Sequence, residues 1–542
     1  MNNISKIKKI FLIVVLFYGV AFADTNTLYL NQLNENIHTT FDYKTINTDI
    51  NNLLYNNPNL SRTKYGLSVY STKLNKWIYT YNHKKLLVPA SNTKLFTTFT
   101  SFYQLGQEYQ ISTKVYMEGQ LNKGTLNGNL YIVGGGDPIF NINDLENIAA
   151  EIKKYGINKI NGNIYGDGSF FDAETNRFKY SNDIDEVEAV APITALSLEK
   201  NIVTVIVTAG TIPGKSVNVQ FKPASSGFVS SVDAIVTANE NYLDENNLYN
   251  NFYYEELNYK LYSGDSYNLV AAKNKKKNIT KKTNKKSKLP SIRITTSMRQ
   301  DGKQCFYVKG SLKRNKTYTY QYYIKDPVLI TAYALKDRLG AVGINVSGCV
   351  DKKELIKNEI ENKILIYTFK RNINDIIIPT NKFSDNYLAE TLFKLNGAVS
   401  GNNINCVENS KLITKNILKK LNFLPDGFLL NDGSGLSRRN NITSELLTNI
   451  LIYMYKNNFY DNLYASLSIA GNDGTLRKRM KNTAAENNLY AKTGTLSNVS
   501  SLAGYVNTKN GDKLIFSFIF NGPNIGAYKM IENKLGELLA NY

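Results

Sequence analysis

The chain has 542 residues, of which 42% are hydrophobic and 20% charged, so it is too long for one hydrophobic core and too apolar for a disordered polymer. Its formal net charge of +20 brings anionic polymers and membrane surfaces into consideration, nucleic acid included. Three cysteines without metal-ligand spacing and only two histidines, His38 and His83, exclude a zinc set of the usual kind and leave a Ser-His-Asp triad without a persuasive serine partner.

The first element in chain order is a leader. Lys6, Lys8 and Lys9 form a charged stretch, residues 10–18 an apolar one, and Ala21-Phe22-Ala23 a small-residue cleavage site, so 1–23 is expected to be removed and the mature chain to start at Asp24. An uncleaved anchor is the alternative, but the apolar stretch falls short of the ~20 residues that a membrane helix needs. Export to a periplasmic or extracellular compartment removes nucleic acid from the expected partners. It also permits one disulfide, for which Cys305 with Cys349 is the pairing favoured over any with Cys406.

Pro89-Ala90 leads into Ser91, and Leu95, Phe96, Phe102 and Leu105 recur with a helical period, which predicts a buried helix entered at Pro89. Residues 110–165 read as short strands with a helix over 145–155. Gly134-Gly135-Gly136-Asp137-Pro138 is a tight turn and not a phosphate loop, because no Lys-Ser or Lys-Thr follows it. Residues 173–290 are strand-rich, most clearly over 202–207, and end in a lysine tract at 273–288 that predicts a solvated loop, with tethering to wall or lipid headgroups as the other reading. Tyr253, Tyr254, Tyr259 and Tyr262 are assigned to sandwich core and surface and not to a stacking platform. Residues 291–323 return in β, and a helix over 329–339 ends at Gly343-Ile344. Ser384-Asp385-Asn386 stands at the start of a helix from Tyr387. Lys492-Thr493-Gly494 lies on a strand that precedes alternating residues 502–506, a turn at Asn510-Gly511 and the β-prone 514–520, an antiparallel meander.

Ser91-Asn92-Thr93-Lys94, Ser384-Asp385-Asn386 and Lys492-Thr493-Gly494 together supply a nucleophile, a base, a proton relay and an anion clamp, the set that opens an acyl bond without histidine. On a helix Ser91 and Lys94 are one turn apart on the same face. The helix N-terminus adds a partial positive field and free N–H groups for a developing oxyanion. Lys94 serves as a base only when neutral, and burial with a second cation, Lys492, is the expected means of lowering its pKa. Gly494 is expected to let a substrate backbone approach the strand edge closely.

These three runs, with Gly166-Asp167-Gly168-Ser169-Phe170-Phe171-Asp172, Asn431-Asp432-Gly433-Ser434-Gly435-Leu436-Ser437-Arg438 and Ala470-Gly471-Asn472-Asp473-Gly474-Thr475-Leu476, carry a resemblance. The chain resembles the class C low-molecular-mass penicillin-binding proteins, the D-alanyl-D-alanine carboxypeptidase/endopeptidases of the DacB type in the serine penicillin-recognising superfamily. The resemblance implies an α+β multidomain fold. A β-lactamase/transpeptidase-like catalytic domain, an antiparallel sheet flanked by helices, is expected at 24–108 and 324–542. Between the Ser-x-x-Lys and Ser-x-Asn runs it implies an insertion at 109–172 and 291–323, with a nested strand-rich domain at 173–290 that carries the lysine-rich loop 273–288.

The resemblance also implies roles. Ser91 attacks the carbonyl of a penultimate D-alanine, Lys94 takes its proton, Ser384 relays a proton to the leaving nitrogen, and Asn386 holds the substrate amide and Lys94. Lys492, with the hydroxyls of Thr493 and Thr495, holds the terminal carboxylate or stabilises charge, and Ser91 and Thr495 N–H groups form the oxyanion hole. Arg438 is similar to a family arginine near the stem peptide's side-chain carboxylate. Asp183 stands where an inserted acidic residue meets the amino group of a diaminopimelate-type side chain, although Phe178 and Tyr180 replace the tryptophans that precede it in the family. Peptidoglycan peptides are the expected substrates and β-lactams covalent inhibitors, with no metal or other cofactor and with peripheral contact to anionic membrane or wall. A serine β-lactamase and a catalytically inert wall-binding scaffold are the alternative readings.

Overall fold

The computed structural model describes residues 43–55, 57–184, 187–237, 291–400 and 404–542. The leader, His38, Tyr253, Tyr254, Tyr259, Tyr262 and the lysine tract 273–288 lie outside the described residues. A separate N-terminal unit, residues 1–56, contributes the helix Tyr43–Leu54, whose buried Ile46, Ile50 and Leu54 recur every four residues. Among the described residues no helix is long and apolar enough to cross a membrane.

Residues 57–542 form the second unit, built on an antiparallel six-stranded sheet. Its strands run in the order Ser468–Ile469, Leu489–Leu496, Val499–Asn507, Lys513–Asn521, Lys64–Ser71, Lys76–Tyr81. Val499–Asn507 and Lys513–Asn521 are buried on both faces, as their nearly unbroken apolar and small residues require. Ser500 bonds Glu532 of the helix Ile525–Asn541, whereas Tyr505 bonds the Leu451 carbonyl of the helix Ser444–Lys456. Side chains alternate along a strand, so those two helices cover opposite faces. The expected meander forms with Lys492 opposite Ala503 and Leu502 opposite Phe518, and Gly511 takes φ +73° in the hairpin turn. The helices Thr93–Leu105 and Asn386–Ala398 pack together beside this sheet, sharing a core that includes Phe96, Phe99, Leu388 and Leu392.

A second, seven-stranded sheet has Asn345–Val346, Lys159–Ile160, Thr125–Val133, Gln110–Asn122 and Ile364–Asn372 in order, while Ile164–Asp167 joins Thr125–Val133 to Val350–Lys352. Two three-stranded sheets follow, one of Ser291–Met298, Gln304–Lys313 and Phe228–Thr237, the other of Thr317–Tyr323, Ile202–Thr208 and Asn218–Lys222. In the latter, Ile202 stands directly opposite Tyr323.

These pairings correct two of the expected domain boundaries. Strands within 291–323 pair with strands within 202–237, so they belong with the nested stretch and not with 109–172. Strands within 345–372, expected in the catalytic domain, instead complete the sheet of 110–167. Local propensity marks a segment as β, but which edge it joins depends on packing distant in sequence. The Cys305–Cys349 pairing is also overturned. All three cysteines are free thiols: Cys305 is buried in the strand Gln304–Lys313, and exposed Cys349 precedes Val350–Lys352 of a different sheet.

Candidate active site

The chain enters the helix Thr93–Leu105 through a 3-10 turn, Ala90–Asn92, that begins at Pro89. Ala90 takes φ +50°, a conformation its Cβ disfavours and one found where surroundings over-determine the backbone. Lys94 sits in the first helical turn and is fully buried. Its ammonium donates to Ser91 Oγ at 3.0 Å, Asn386 Oδ1 at 2.7 Å and the Ser434 carbonyl at 2.7 Å. Ser384 also lies in the left-handed region, at φ +60°, two residues before Asn386. Its hydroxyl accepts from Lys492 Nζ at 2.8 Å, and Lys492 also donates to the Thr493 carbonyl at 2.8 Å. Ser91, Lys94, Ser384, Asn386 and Lys492 are thus gathered where the helices Thr93–Leu105 and Asn386–Ala398 begin beside the strand Leu489–Leu496, with Lys492 bonded to Ser384 and Lys94 to Asn386.

Among the described residues the strand Leu489–Leu496 has an open edge beyond Ala491. Ser468–Ile469 pairs only with Ala491 and Tyr490, and Leu489 accepts from Ala470 N–H on that side. Ladder groups alternate along a strand, so the N–H and C=O groups of Thr493 and Thr495 point to the same side, past the end of the short strand. The Thr493 hydroxyl donates to Thr475 Oγ1 at 2.8 Å, and Thr495 is exposed. Gly494 has a different task from the one expected. A Cβ there would stand 2.2 Å from Ser501 Oγ, 2.6 Å from the Pro89 carbonyl and 3.1 Å from the Ser91 nitrogen. Its missing side chain lets the strand lie against the turn that carries Ser91.

Arg438 is exposed and donates to the Ser497 carbonyl at 2.8 Å and to the Ser497 hydroxyl, just beyond the same strand. Asp183 does not stand free for a substrate amino group. Its carboxylate, with 7% of the side chain exposed, pairs with Arg177 at 2.9 Å and accepts from the Ser181 hydroxyl at 2.9 Å and the Ser437 hydroxyl at 2.5 Å. The short helix Arg177–Ser181 ends at Asn182, φ +49°, which turns Asp183 back onto Arg177.

Several groups that matter here were not singled out from the sequence. Fully buried Asp432 accepts from Arg177 at 2.9 Å, from Gly435 and Ser437 N–H at 2.9 and 2.8 Å, and from Asn440 at 2.7 Å. Fully buried Glu390 accepts from the Tyr180 hydroxyl at 2.8 Å and from Gly433 and Ser434 N–H at 3.2 and 2.8 Å. The two carboxylates fix the loop that presents the Ser434 carbonyl to Lys94. Asn386 Nδ2 donates to Glu188 Oε1 at 2.9 Å, which leaves Oδ1 facing Lys94. The run Asn431–Arg438 held a readable signal for Asp432, since an acid among glycines and serines invites backbone N–H donors. Glu188 had none.

Burial brings the Lys94 pKa down to about 8, against the opposing pull of Asp432, Glu188, Glu390 and Asp385. Lys492 is pushed well below its ordinary value, first by burial and then by the Lys94 charge. Burial thus lowers both amines, and the two cations repel each other across the site. Among the described residues no cluster of His, Cys, Asp and Glu is able to hold a metal ion.

Residues 46–253 and 243–542 match the model of the D-Ala-D-Ala carboxypeptidase 3 (S13) family. The chain belongs to this family. A D-alanyl-D-alanine carboxypeptidase of Actinomadura sp. is 26% identical over 534 residues, 96% of this chain and 87% of that one. The D-alanyl-D-alanine carboxypeptidase DacB of Haemophilus influenzae is 26% identical over 459 residues, 83% of this chain and 84% of that one. The crystal structure of penicillin binding protein 4 (dacB) from Haemophilus influenzae superposes with a TM-score of 0.66 at 23% identity, covering 91% of this chain and 99% of that one. The expected DacB-type membership and the α+β multidomain fold are both borne out.

Proposed function

We propose that this chain is a serine D-alanyl-D-alanine carboxypeptidase that cleaves peptidoglycan stem peptides through an acyl-enzyme on Ser91. The observation that carries the reading is the bond from Lys94 Nζ to Ser91 Oγ at 3.0 Å, with Asn386 holding the same amine at 2.7 Å. A terminal carboxylate arriving at Lys492 supplies the counter-charge that this lysine lacks, draws a proton onto it and leaves Lys94 neutral. Ser91 Oγ then attacks the carbonyl carbon of the penultimate D-alanine while Lys94 Nζ accepts the hydroxyl proton. The oxyanion rests on the N–H groups of Ser91 and Thr495. The bond to the last D-alanine breaks as its nitrogen receives a proton relayed by Ser384, and water hydrolyses the ester on Ser91. Arg438, at the end of the same strand, is positioned for a carboxylate farther along the peptide. A β-lactam enters the first half of this path and stays on Ser91. Cross-link cleavage is the same chemistry with a peptide amine as leaving group.

The leader motif supports export to the periplasm or beyond, and the net charge of +20 supports peripheral contact with anionic wall or membrane. Intact mass of the exported protein after penicillin treatment tests both site and export. The expected result is a chain starting at Asp24 with one adduct in wild type and none in Ser91→Ala, alongside release of D-alanine from a stem pentapeptide. A wild-type chain without adduct favours an inert scaffold, and fast turnover of a chromogenic cephalosporin without D-alanine release favours a β-lactamase.

A further inference from the structure

The turn Glu199–Asn201 lies in the stretch of chain inserted between the catalytic runs, and it is left-handed at three successive residues. Glu199 has φ +51°, Lys200 +56° and Asn201 +58°. Residues with a Cβ avoid this region in succession, so neighbouring contacts must hold the turn in place. Glu199 N–H donates to the Phe140 carbonyl at 2.8 Å, and its carboxylate accepts from Ile142 N–H at 3.3 Å. Buried Asn201 donates to the Pro192 carbonyl at 2.7 Å and the Tyr387 hydroxyl at 3.0 Å, and accepts from Leu198 N–H at 2.9 Å. Between these anchors Lys200 Nζ reaches Asp385 Oδ2 at 2.7 Å. Asp385 separates Ser384 from Asn386, and its other oxygen caps their helix at Leu388 N–H, 3.1 Å away.

We propose that Lys200 is a positioning residue for the active site: held by the left-handed turn, its ammonium neutralises Asp385 and keeps Ser384 and Asn386 where they meet Lys492 and Lys94. The inference rests on the function proposed above and assigns the inserted stretch a share in the chemistry. It also has an electrostatic consequence. The charged groups facing Lys94 are Asp432, Glu188, Glu390, Asp385 and Lys492, with Arg177 on Asp432 and Lys200 on Asp385. Without the Lys200 cation, the full charge of Asp385 favours the ammonium form of Lys94. The base then becomes neutral only at higher pH.

The test is the rate of acylation by a penicillin, read by intact mass over roughly pH 6 to 10. The chains compared are wild type, Lys200→Met, Lys200→Arg and the double variant Lys200→Met with Asp385→Asn. With 32% of its side chain exposed, Lys200 is replaceable without loss of the fold, and asparagine preserves the helix cap. Lys200→Met is expected to move the acid limb of the profile about half a pH unit alkaline, a roughly threefold slower reaction on that side. Lys200→Arg is expected to restore the limb, and the double variant to return it, since both charges are then gone. A limb that stays at the wild-type pH in Lys200→Met overturns the proposal even if the rate falls at every pH, because a merely structural loss lowers amplitude alone. A wild-type chain that takes no penicillin overturns the proposed function instead, so the two failures are distinguishable.

Discussion

Lys94 and Lys492 are both fully buried, yet among the described residues carboxylates act on Lys94 and not on Lys492. A buried ammonium without a counter-ion is costly, by several kcal/mol even after relaxation, and in the proposed reaction the substrate carboxylate supplies that counter-ion to Lys492. The pH dependence follows from the sign of the Lys94 shift. In the proposed reaction its neutral form is the base and its ammonium is inert, so acylation is expected to climb with pH through about 8 and to be lost below it. Rapid-quench acylation by a penicillin across that range checks this, and a rate independent of pH would remove Lys94 from the role. Ser91 and Lys94 were legible because their relation is local, one helical turn. Asp183 was misread because its carboxylate is claimed by Arg177 and Ser437, and no local pattern reveals a partner on a distant loop. Glu188 went unnoticed for the same reason, since its tie to Asn386 spans most of the insertion.

The elements that frame the site are a helix start and a strand edge, and Gly494 governs the seam between that strand and the turn at Ser91. Gly494→Ala is expected to cost about 1–3 kcal/mol of stability, because its Cβ would stand 2.2 Å from Ser501 Oγ and 2.6 Å from the Pro89 carbonyl. Acylation should fall at least about tenfold as the strand moves off the turn. Gly526→Ala, on a helix with open space around its Cβ, is the control expected to leave the rate unchanged and not to lower Tm. Wild-type acylation in Gly494→Ala would show that the seam tolerates a side chain. At this scale the sequence was informative wherever periodicity is local: the helix Pro327–Ala341, the strand Ile202–Thr208 and the Asn510-Gly511 hairpin all appear where their patterns predict. It was uninformative about which sheet Ile364–Asn372 joins, because an edge strand's partner is chosen by long-range packing.

The whole chain carries +20, and nine of its lysines fall in the tract 273–288. Retention on anionic vesicles or wall fragments is expected to weaken steeply with salt and to be lost when 273–288 is deleted, while penicillin acylation persists. Sedimentation at low and high ionic strength measures the first and intact mass the second, and retention that survives the deletion would put the contact elsewhere. Ile202 stands opposite Tyr323. The polypeptide departs on its long detour and comes home through a single doorway, two adjacent threads of one small ribbon. The two small sheets beyond it still lean on the helix Pro327–Ala341 through Phe228, Phe306 and Ile330, so what passes the threshold stays tied to its neighbour, and Lys200 sits just before it like a latch.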